Sequence, residues 1–312
     1  MAIVAKSLFV GTHRDARLIQ IDPSTNKVVW KQSIPPQGIS GGSLLAYDGA
    51  LWIAYHNTVA GLARMNPVTH QQVSVAGLRD PKHPLANVEP YGLVALNGSL
   101  WIGDTGDNQI RRVDPKTARL AGRITVRGVA ATNLAAAAGG SLWLQEKDDA
   151  HSGLYRVDPT TGRVTASVIP FPTSAPIQTV AVVGTSLWAA VTVGSVLPGR
   201  PTVVRIDTDT NRVTARLAPK VAGNSDAFPS LKAGGDGTLW LQTRPDRLTQ
   251  IDPTTGAAIK TLAVPLAGNH PLGDYWASET TAGFGSIWVT SWPGQGGPTD
   301  PEVGSLYRLA SK

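Results

Sequence analysis

The chain is built from short stretches in which apolar and polar residues alternate. Residues 163–168 (Arg, Val, Thr, Ala, Ser, Val) show the pattern, and glycine, proline, asparagine or aspartate bound such stretches. Successive side chains of a β-strand point to opposite faces, whereas a helix repeats its apolar positions every three or four residues. No helical period persists along the chain. The pattern therefore predicts antiparallel strands joined by tight turns.

One phrase recurs seven times: a small residue is followed by Leu or Ile and then by an aromatic residue. The copies are Ser7-Leu8-Phe9, Ala50-Leu51-Trp52, Ser99-Leu100-Trp101, Ser141-Leu142-Trp143, Ser186-Leu187-Trp188, Thr238-Leu239-Trp240 and Ser286-Ile287-Trp288. Neighbouring copies lie 42 to 52 residues apart, and six of the nine tryptophans occupy the aromatic position. Such a period indicates a repeat architecture. We interpret these tryptophans as core residues between repeats, because a buried large aromatic removes roughly 150–250 Å² from water.

A turn follows each of the first six copies, after a short apolar strand. The turns begin at Asp22-Pro23, Asn66-Pro67, Asp114-Pro115, Asp158-Pro159, Asp207-Thr208 and Asp252-Pro253. Asp or Asn at the first position accepts a local backbone hydrogen bond, and proline fixes φ at the second. Another tight turn precedes the aromatic phrase, and Asn97-Gly98, a favourable type I′ pair, is the clearest case. Each repeat is thus predicted to contain four strands, A to D, with the aromatic phrase on strand B.

Seven such repeats predict an all-β fold, a seven-bladed β-propeller of four-stranded antiparallel blades in a single domain. The predicted blades cover residues 1–37, 38–80, 81–128, 129–171, 172–220, 221–266 and 267–312. The seventh repeat gives strand A near 280–282, strand B near 287–290 and strand C near 305–309, so the last blade is predicted to have three strands. Arginines recur on strand C, and we expect them to form a repeated surface or inter-blade contact. They are Arg64, Arg112, Arg156, Arg205 and Arg308.

Composition narrows the possible chemistry. The chain has 312 residues and no cysteine, which excludes disulfides and thiolate catalysis. The net charge is +6, but the basic residues are scattered, so we expect a basic surface and no nucleic-acid partner. No apolar run is long enough to span a membrane, and the first residues do not have a signal-peptide pattern. These features predict a monomer that is either cytoplasmic or exported with its leader absent from this chain.

The loops at one end of the sheets are the candidate location for chemistry. The A–B and C–D turns are short and regular, whereas the B–C and D–A loops vary in length and composition, as functional loops on a rigid scaffold do. The candidate catalytic residues there are His270, Glu279 and Glu146, and the candidate substrate-binding residues are Tyr91, His56, Asp104, Tyr55, Asn133 and Trp292. Imidazole and carboxylates suit Mg²⁺, Ca²⁺ or Mn²⁺, for which Glu146 and Glu279 are the candidate ligands. Alternatively His270 is a general base oriented by a carboxylate, or these residues are merely solvated.

The repeat resembles the seven-bladed bacterial propellers built on the phrase LWV…RIDPxTGKV. Leu142-Trp143 and Arg156-Val157-Asp158-Pro159-Thr160-Thr161-Gly162-Arg163-Val164 carry the resemblance, which covers essentially the whole chain. Within that group, Pro90-Tyr91-Gly92 and Trp143-Leu144-Gln145-Glu146 are similar to blades of the virginiamycin B lyase family. Fold resemblance alone does not fix an activity.

That family opens a cyclic depsipeptide ester by metal-dependent elimination, with a histidine base and glutamates that help to hold Mg²⁺. The resemblance implies His270 as the base and Glu146 and Glu279 as ligands or orienting groups. Repeat 7 departs from the family, because its strand B ends in Ser291-Trp292 rather than in a glutamate. Residues 104–113 also resemble the turn of NHL-type propellers, which are often scaffolds. The alternative function is therefore a non-catalytic ligand-binding or protein-interaction module.

Overall fold

The structure is a computed structural model in which strands are the only regular elements among the described residues. These are residues 1–12, 17–33, 44–55, 61–78, 90–104, 109–126, 133–145, 153–169, 177–193, 200–219, 229–234, 237–244, 246–265, 275–276, 279–293 and 305–310. The strands form seven antiparallel sheets in sequence order. The predicted fold class is thus confirmed: the chain is a seven-bladed β-propeller with a last blade of three strands.

The first of two compact units, Met1–Lys147 with Leu154–Ser167, contains the first four blades. Blade 1 has β1 (Ala2–Val4), β2 (Ser7–Gly11), β3 (Arg17–Asp22) and β4 (Lys27–Ser33). Blade 2 has β5 (Leu44–Tyr47), β6 (Ala50–Tyr55), β7 (Gly61–Met65) and β8 (Gln72–Ser74). Blade 3 has β9 (Pro90–Leu96), β10 (Ser99–Asp104), β11 (Gln109–Asp114) and β12 (Arg119–Thr125). Blade 4 has β13 (Asn133–Ala138), β14 (Ser141–Gln145), β15 (Leu154–Val157) and β16 (Val164–Val168).

The second unit, Asp148–Gly153 with Val168–Lys312, contains the last three blades. Blade 5 has β17 (Ile177–Val183), β18 (Ser186–Val193), β19 (Arg200–Asp207) and β20 (Arg212–Leu217). Blade 6 has β21 (Ser230–Ala233), β22 (Leu239–Arg244), β23 (Arg247–Ile251) and β24 (Ala258–Ala263). Blade 7 has β25 (Tyr275–Trp276), β26 (Thr280–Gly283), β27 (Ser286–Pro293) and β28 (Ser305–Ala310).

Blade 7 shows the predicted strands A, B and C, but its strand A is in two pieces. Trp276 is opposite Trp292 and Thr280 is opposite Val289, both on strand β27. The two pieces of strand A therefore pair with successive parts of the same strand B. The short piece β25 is the one strand of this blade that the sequence pattern did not predict.

The repeated aromatic residue of one blade packs against the repeated Leu or Ile of the next blade. The first unit has three such pairs, Phe9 with Leu51, Trp52 with Leu100 and Trp101 with Leu142. The second unit has two, Trp188 with Leu239 and Trp240 with Ile287. All of these side chains are buried. The tryptophans are therefore core residues between blades, as the repeat predicted.

The recurring arginines of strand C form a repeated contact within their own blade at its partly exposed surface, which agrees with the surface alternative of the prediction. Arg205 lies opposite Trp188 on the neighbouring strand, with its guanidinium 5.7 Å from the ring centroid, and its Nε donates to Ser186 Oγ at 3.0 Å. Arg112, Arg156 and Arg308 donate in the same way to Ser99, Ser141 and Ser286. Arg64 instead makes the inter-blade contact, because its Nη1 donates to the Lys116 carbonyl of blade 3 at 3.2 Å.

The C–D turns share one hydrogen-bonded geometry. In blade 4, Asp158 Oδ1 accepts bonds from the backbone N–H groups of Thr160 and Thr161, and Gly162 N donates to the Asp158 carbonyl at 2.9 Å. Gly162 has φ +70°, and a Cβ there would collide with Ile124 of blade 3. This glycine is therefore required both by the turn and by the close approach of the neighbouring blade.

The turn carboxylates are stabilised in their ionised form. Backbone N–H donation, chiefly from Thr160 and then from Thr161, holds the pKa of Asp158 below its ordinary value of 3.8. Local hydrogen bonds likewise lower the pKa values of Asp22, Asp114, Asp207 and Asp252. A carboxylate whose pKa is lowered by folding stabilises the fold fully above its ordinary pKa. That contribution is lost as the pH falls through the lowered folded value.

We predict that Asp158→Ala lowers the melting temperature at neutral pH, whereas Asp158→Asn leaves it nearly unchanged. Asparagine can accept the same two bonds, as Asn66 does from Val68 N and Thr69 N in blade 2. The measurement is thermal unfolding of both variants from neutral pH down to below pH ~4. Asp158→Asn should also lose less stability than the wild type as the pH falls. Equal melting temperatures for the two variants at neutral pH would contradict this account of the turn.

Candidate functional site

Strand A bulges in three of the described blades, close to the end where it begins. The extra residues are Gly92 in blade 3, Ala135 in blade 4 and Gln178 in blade 5. This is also the end at which the B–C and D–A connections lie. Bulges occur often beside functional sites, because they turn a side chain away from the regular pleat.

The glycine of Pro90-Tyr91-Gly92 has a structural explanation. Gly92 has φ +76°, and a Cβ there would collide with the Leu134 carbonyl oxygen on strand A of blade 4. Only glycine allows the two backbones to come this close. The resemblance noted for this segment therefore reflects, at least at Gly92, how two blades pack.

The structure places the backbones of several predicted site residues at this end of their own blades. Tyr91 is the second residue of β9 and Asp104 is the last residue of β10, and they belong to neighbouring rungs of one sheet. Asn133 begins β13, Trp292 is the next-to-last residue of β27 and Tyr55 ends β6. His270, Glu146 and His56 lie outside the described residues. Their proposed roles stay predictions.

Tyr55 has a packing role. It is opposite Gly61 on the neighbouring strand, and a Cβ on that glycine would lie 2.6 Å from the Tyr55 Oη. The half-buried ring also contacts the core cluster that contains Phe9 and Ile53. The absence of a side chain at position 61 thus makes room for the tyrosine.

Glu279 is held at the break in strand A of blade 7 by Thr290. The Glu279 N–H donates to Thr290 Oγ1 at 3.0 Å. The Glu279 carbonyl accepts from Thr290 N at 2.9 Å and from Thr290 Oγ1 at 3.3 Å. One threonine therefore satisfies both backbone groups of Glu279 and fixes the start of β26.

The Glu279 side chain is exposed to solvent. Many protein atoms nevertheless lie near its carboxylate and partly desolvate it. Desolvation by that protein raises its pKa, but nearby ammonium groups, among them that of Lys232, outweigh this effect. The pKa of Glu279 consequently lies below its ordinary value, and the group is ionised at neutral pH. An ionised carboxylate can orient an imidazole, bind a divalent cation or accept a proton.

The described residues do not by themselves assemble a metal centre. No group of three His, Asp or Glu side chains in this part of the chain could hold a metal ion. Glu279 is the one predicted ligand whose surroundings are described. A divalent cation therefore stays a proposal.

Sequence reasoning missed three polar residues near this end. Thr290 and Lys232 contact or influence Glu279, and Gln145 is buried at the end of β14, directly before Glu146. The repeated phrase Leu-Trp-Leu-Gln was a usable signal for Gln145, because Gln242 occupies the same position in blade 6 and is also buried. Thr290 had no such signal, since its role depends on which residue of strand A lies beside it.

Comparison with known proteins agrees with the fold. No family model matches the chain, and no curated protein is similar to it in sequence. A hydrazine synthase chain of Kuenenia stuttgartiensis superposes with a TM-score of 0.71 at 14% identity, over 100% of this chain and 95% of that one. Virginiamycin B lyase of Staphylococcus aureus superposes with a TM-score of 0.67 at 14% identity, over 92% of this chain and 89% of that one. A streptogramin B lyase superposes with a TM-score of 0.66 at 15% identity, over 98% of this chain and 92% of that one.

These likenesses show a shared propeller fold, and the different names show that the fold does not determine the activity. The search for helices that could cross a membrane finds none in the part of the chain that is described.

We predict that Thr290→Val lowers the free energy of unfolding by roughly 1–3 kcal/mol, since it removes two hydrogen bonds while keeping the shape of the side chain. Thr290→Ser keeps the hydroxyl and should lose much less. Chemical denaturation of both variants measures the difference. A serine variant as unstable as the valine variant would show that the hydroxyl does not hold Glu279.

Proposed function

We propose that the chain acts on a small-molecule or peptide ligand at the end where the strands A bulge, as a lyase or isomerase that removes a proton from the ligand. The observation that supports this proposal is the setting of Glu279. Its backbone is fixed by Thr290, and nearby ammonium groups hold the pKa of its carboxylate below the ordinary value. A carboxylate whose only role is to keep a loop in contact with water would not need a backbone fixed in this way.

The roles follow from the chemistry of the side chains. His270 is the proposed base, because a neutral imidazole takes up a proton near neutral pH. Glu279 and Glu146 orient that imidazole and stabilise the imidazolium that forms. Tyr91, His56, Asp104, Asn133 and Trp292 are the proposed ligand-binding residues. Tyr55, whose side chain is half-buried, is a further proposed ligand-binding residue.

A divalent cation of the Mg²⁺, Ca²⁺ or Mn²⁺ class fits Glu146 and Glu279 by donor chemistry, since hard cations prefer carboxylate oxygens. Such an ion would stabilise negative charge on a carbonyl oxygen next to the carbon that loses its proton. The chain's own contribution is to keep Glu279 ionised and fixed in place.

The lyase assignment is favoured by two relatives in fold. Virginiamycin B lyase and streptogramin B lyase both superpose over most of their length. The alternative is a non-catalytic ligand-binding or protein-interaction propeller. Residues 104–113, which resemble the turn of NHL-type propellers, favour this alternative.

The test is to incubate the protein with virginiamycin B, with and without added Mg²⁺ or a chelator, and to follow the product by mass spectrometry. Elimination opens the ring with no change in mass, whereas hydrolysis adds one water. We expect a product of unchanged mass, with activity reduced by about 10²–10⁴-fold in His270→Ala. Glu279→Gln should lower the rate by a smaller factor.

The control variant is Asp209→Asn, at an exposed carboxylate of a C–D turn in blade 5. It should retain full activity. No product from the wild type, together with no change in melting temperature on adding the antibiotic or the cations, would favour the scaffold function. A product that has gained one water would contradict the lyase assignment.

A further inference from the structure

Exposed apolar side chains concentrate on blades 1 and 2. Of seven exposed large apolar residues in the described part of the chain, four belong to these blades: Val28, Val29, Val68 and Val73. Val28 and Val29 are neighbours on β4, a strand with six exposed residues of seven. Concentrated exposure of this kind indicates an interaction surface, whereas scattered exposed residues need no explanation.

The two blades are joined at this place by an aromatic stack. The Trp30 ring of β4 lies parallel to the His70 ring of the blade 2 turn, with centroids 4.0 Å apart. His70 Nε2 is hydrogen-bonded to Gln20 Oε1 at 2.7 Å. The stack joins β4, which carries Val28 and Val29, to the turn and strand that carry Val68 and Val73. We call this set of residues, Val28, Val29, Trp30, Val68 and Val73, the rim patch.

The charges around the rim patch are mainly positive. Lys27 and Lys31 flank its valines on β4, and the segments 27–33 and 66–74 contain no Asp or Glu. Asp22 is opposite Lys27 on the neighbouring strand and is ionised, whereas Lys31 is opposite Ile19, so an excess of positive charge is left. An anionic partner is therefore the complementary one.

Two kinds of protein partner fit poorly. A second copy that paired antiparallel along β4 about Val29 would place Lys27 opposite Lys31, and like charges in that position repel. An added strand of another protein would have to follow an edge that is bulged at Val29. Bulges on edge strands act against such pairing. Apolar side chains beside lysines and a half-buried tryptophan suit the boundary between lipid headgroups and acyl chains.

We propose that the rim patch docks the protein on the surface of an anionic lipid membrane. The valines enter the headgroup region, and Lys27 and Lys31 pair with lipid phosphates. This is peripheral binding, which is reversible and sensitive to salt, because two lysines and a few small apolar side chains give a modest affinity.

The experiment is flotation of the full chain with vesicles of phosphatidylcholine and phosphatidylglycerol in equal parts, compared with vesicles of phosphatidylcholine alone. We expect binding to the anionic vesicles only, and release at high salt. Val28→Ser with Val29→Ser, and separately Lys27→Gln with Lys31→Gln, should each weaken binding roughly tenfold.

Matched controls come from equivalent positions of other blades. Ile259 is exposed at the bulge of β24 as Val29 is at that of β4, so Ile259→Ser removes a comparable apolar side chain. Along the sequence, Arg212 and Arg216 follow the turn residue Asp207 by the same number of positions as Lys27 and Lys31 follow Asp22. Arg212→Gln with Arg216→Gln therefore removes the same charge.

Both controls should keep wild-type binding if the rim patch is the docking surface. Failure of the wild type to float with the anionic vesicles would overturn the proposal. So would equal losses in the control and patch variants, which would indicate a dispersed charge effect. Melting temperatures of all variants exclude loss of folding as a cause.

Discussion

The packing of one aromatic ring per blade against the Leu or Ile of the next blade is the interaction on which the rest of the structure depends. In the five described pairs the ring contacts that neighbour. In blades 3, 5 and 7 an arginine of strand C also covers the ring and donates to the serine that begins strand B. In four blades the indole N–H also donates to the carbonyl five residues earlier, next to the A–B turn. Burial supplies the free energy, and the polar contacts fix the orientation of the ring.

This arrangement leaves the two ends of the blades under different constraints. The C–D turns are held by the side-chain oxygen of an Asp in five blades and of an Asn in one, and in two of these turns a glycine is needed because the neighbouring blade comes close. At the other end, strand A bulges in three blades and the connections vary. Glu279 lies directly before β26 and is anchored through Thr290. A regular scaffold at one end thus supports irregular backbone, and with it candidate chemistry, at the other.

The sequence predicted what depends on local rules and missed what depends on neighbouring strands. The tryptophan period and the Asp-Pro turns gave the blades, the strands and the three-stranded last blade, because alternation and turn chemistry act over a few residues. The contact of Arg205 with Trp188 was not foreseen, since it requires the register between two strands. The bulge at Gly92 was not foreseen either, since it follows from the approach of Leu134. The catalytic role of His270 stays a prediction.

The claim that contacts within the blade fix the ring in this packing is tested most directly by a double-mutant cycle on Trp188→Phe and Arg205→Gln. Blade 1 already pairs Phe9 with Gln20, and Gln20 Nε2 still donates to Ser7 Oγ at 2.9 Å, so the changes reproduce a pair that the fold accepts. The account predicts that Arg205→Gln destabilises the wild type more than it destabilises the Trp188→Phe variant, with a coupling energy of about 0.5–1 kcal/mol. Strictly additive losses would contradict the claim that the arginine acts on the ring.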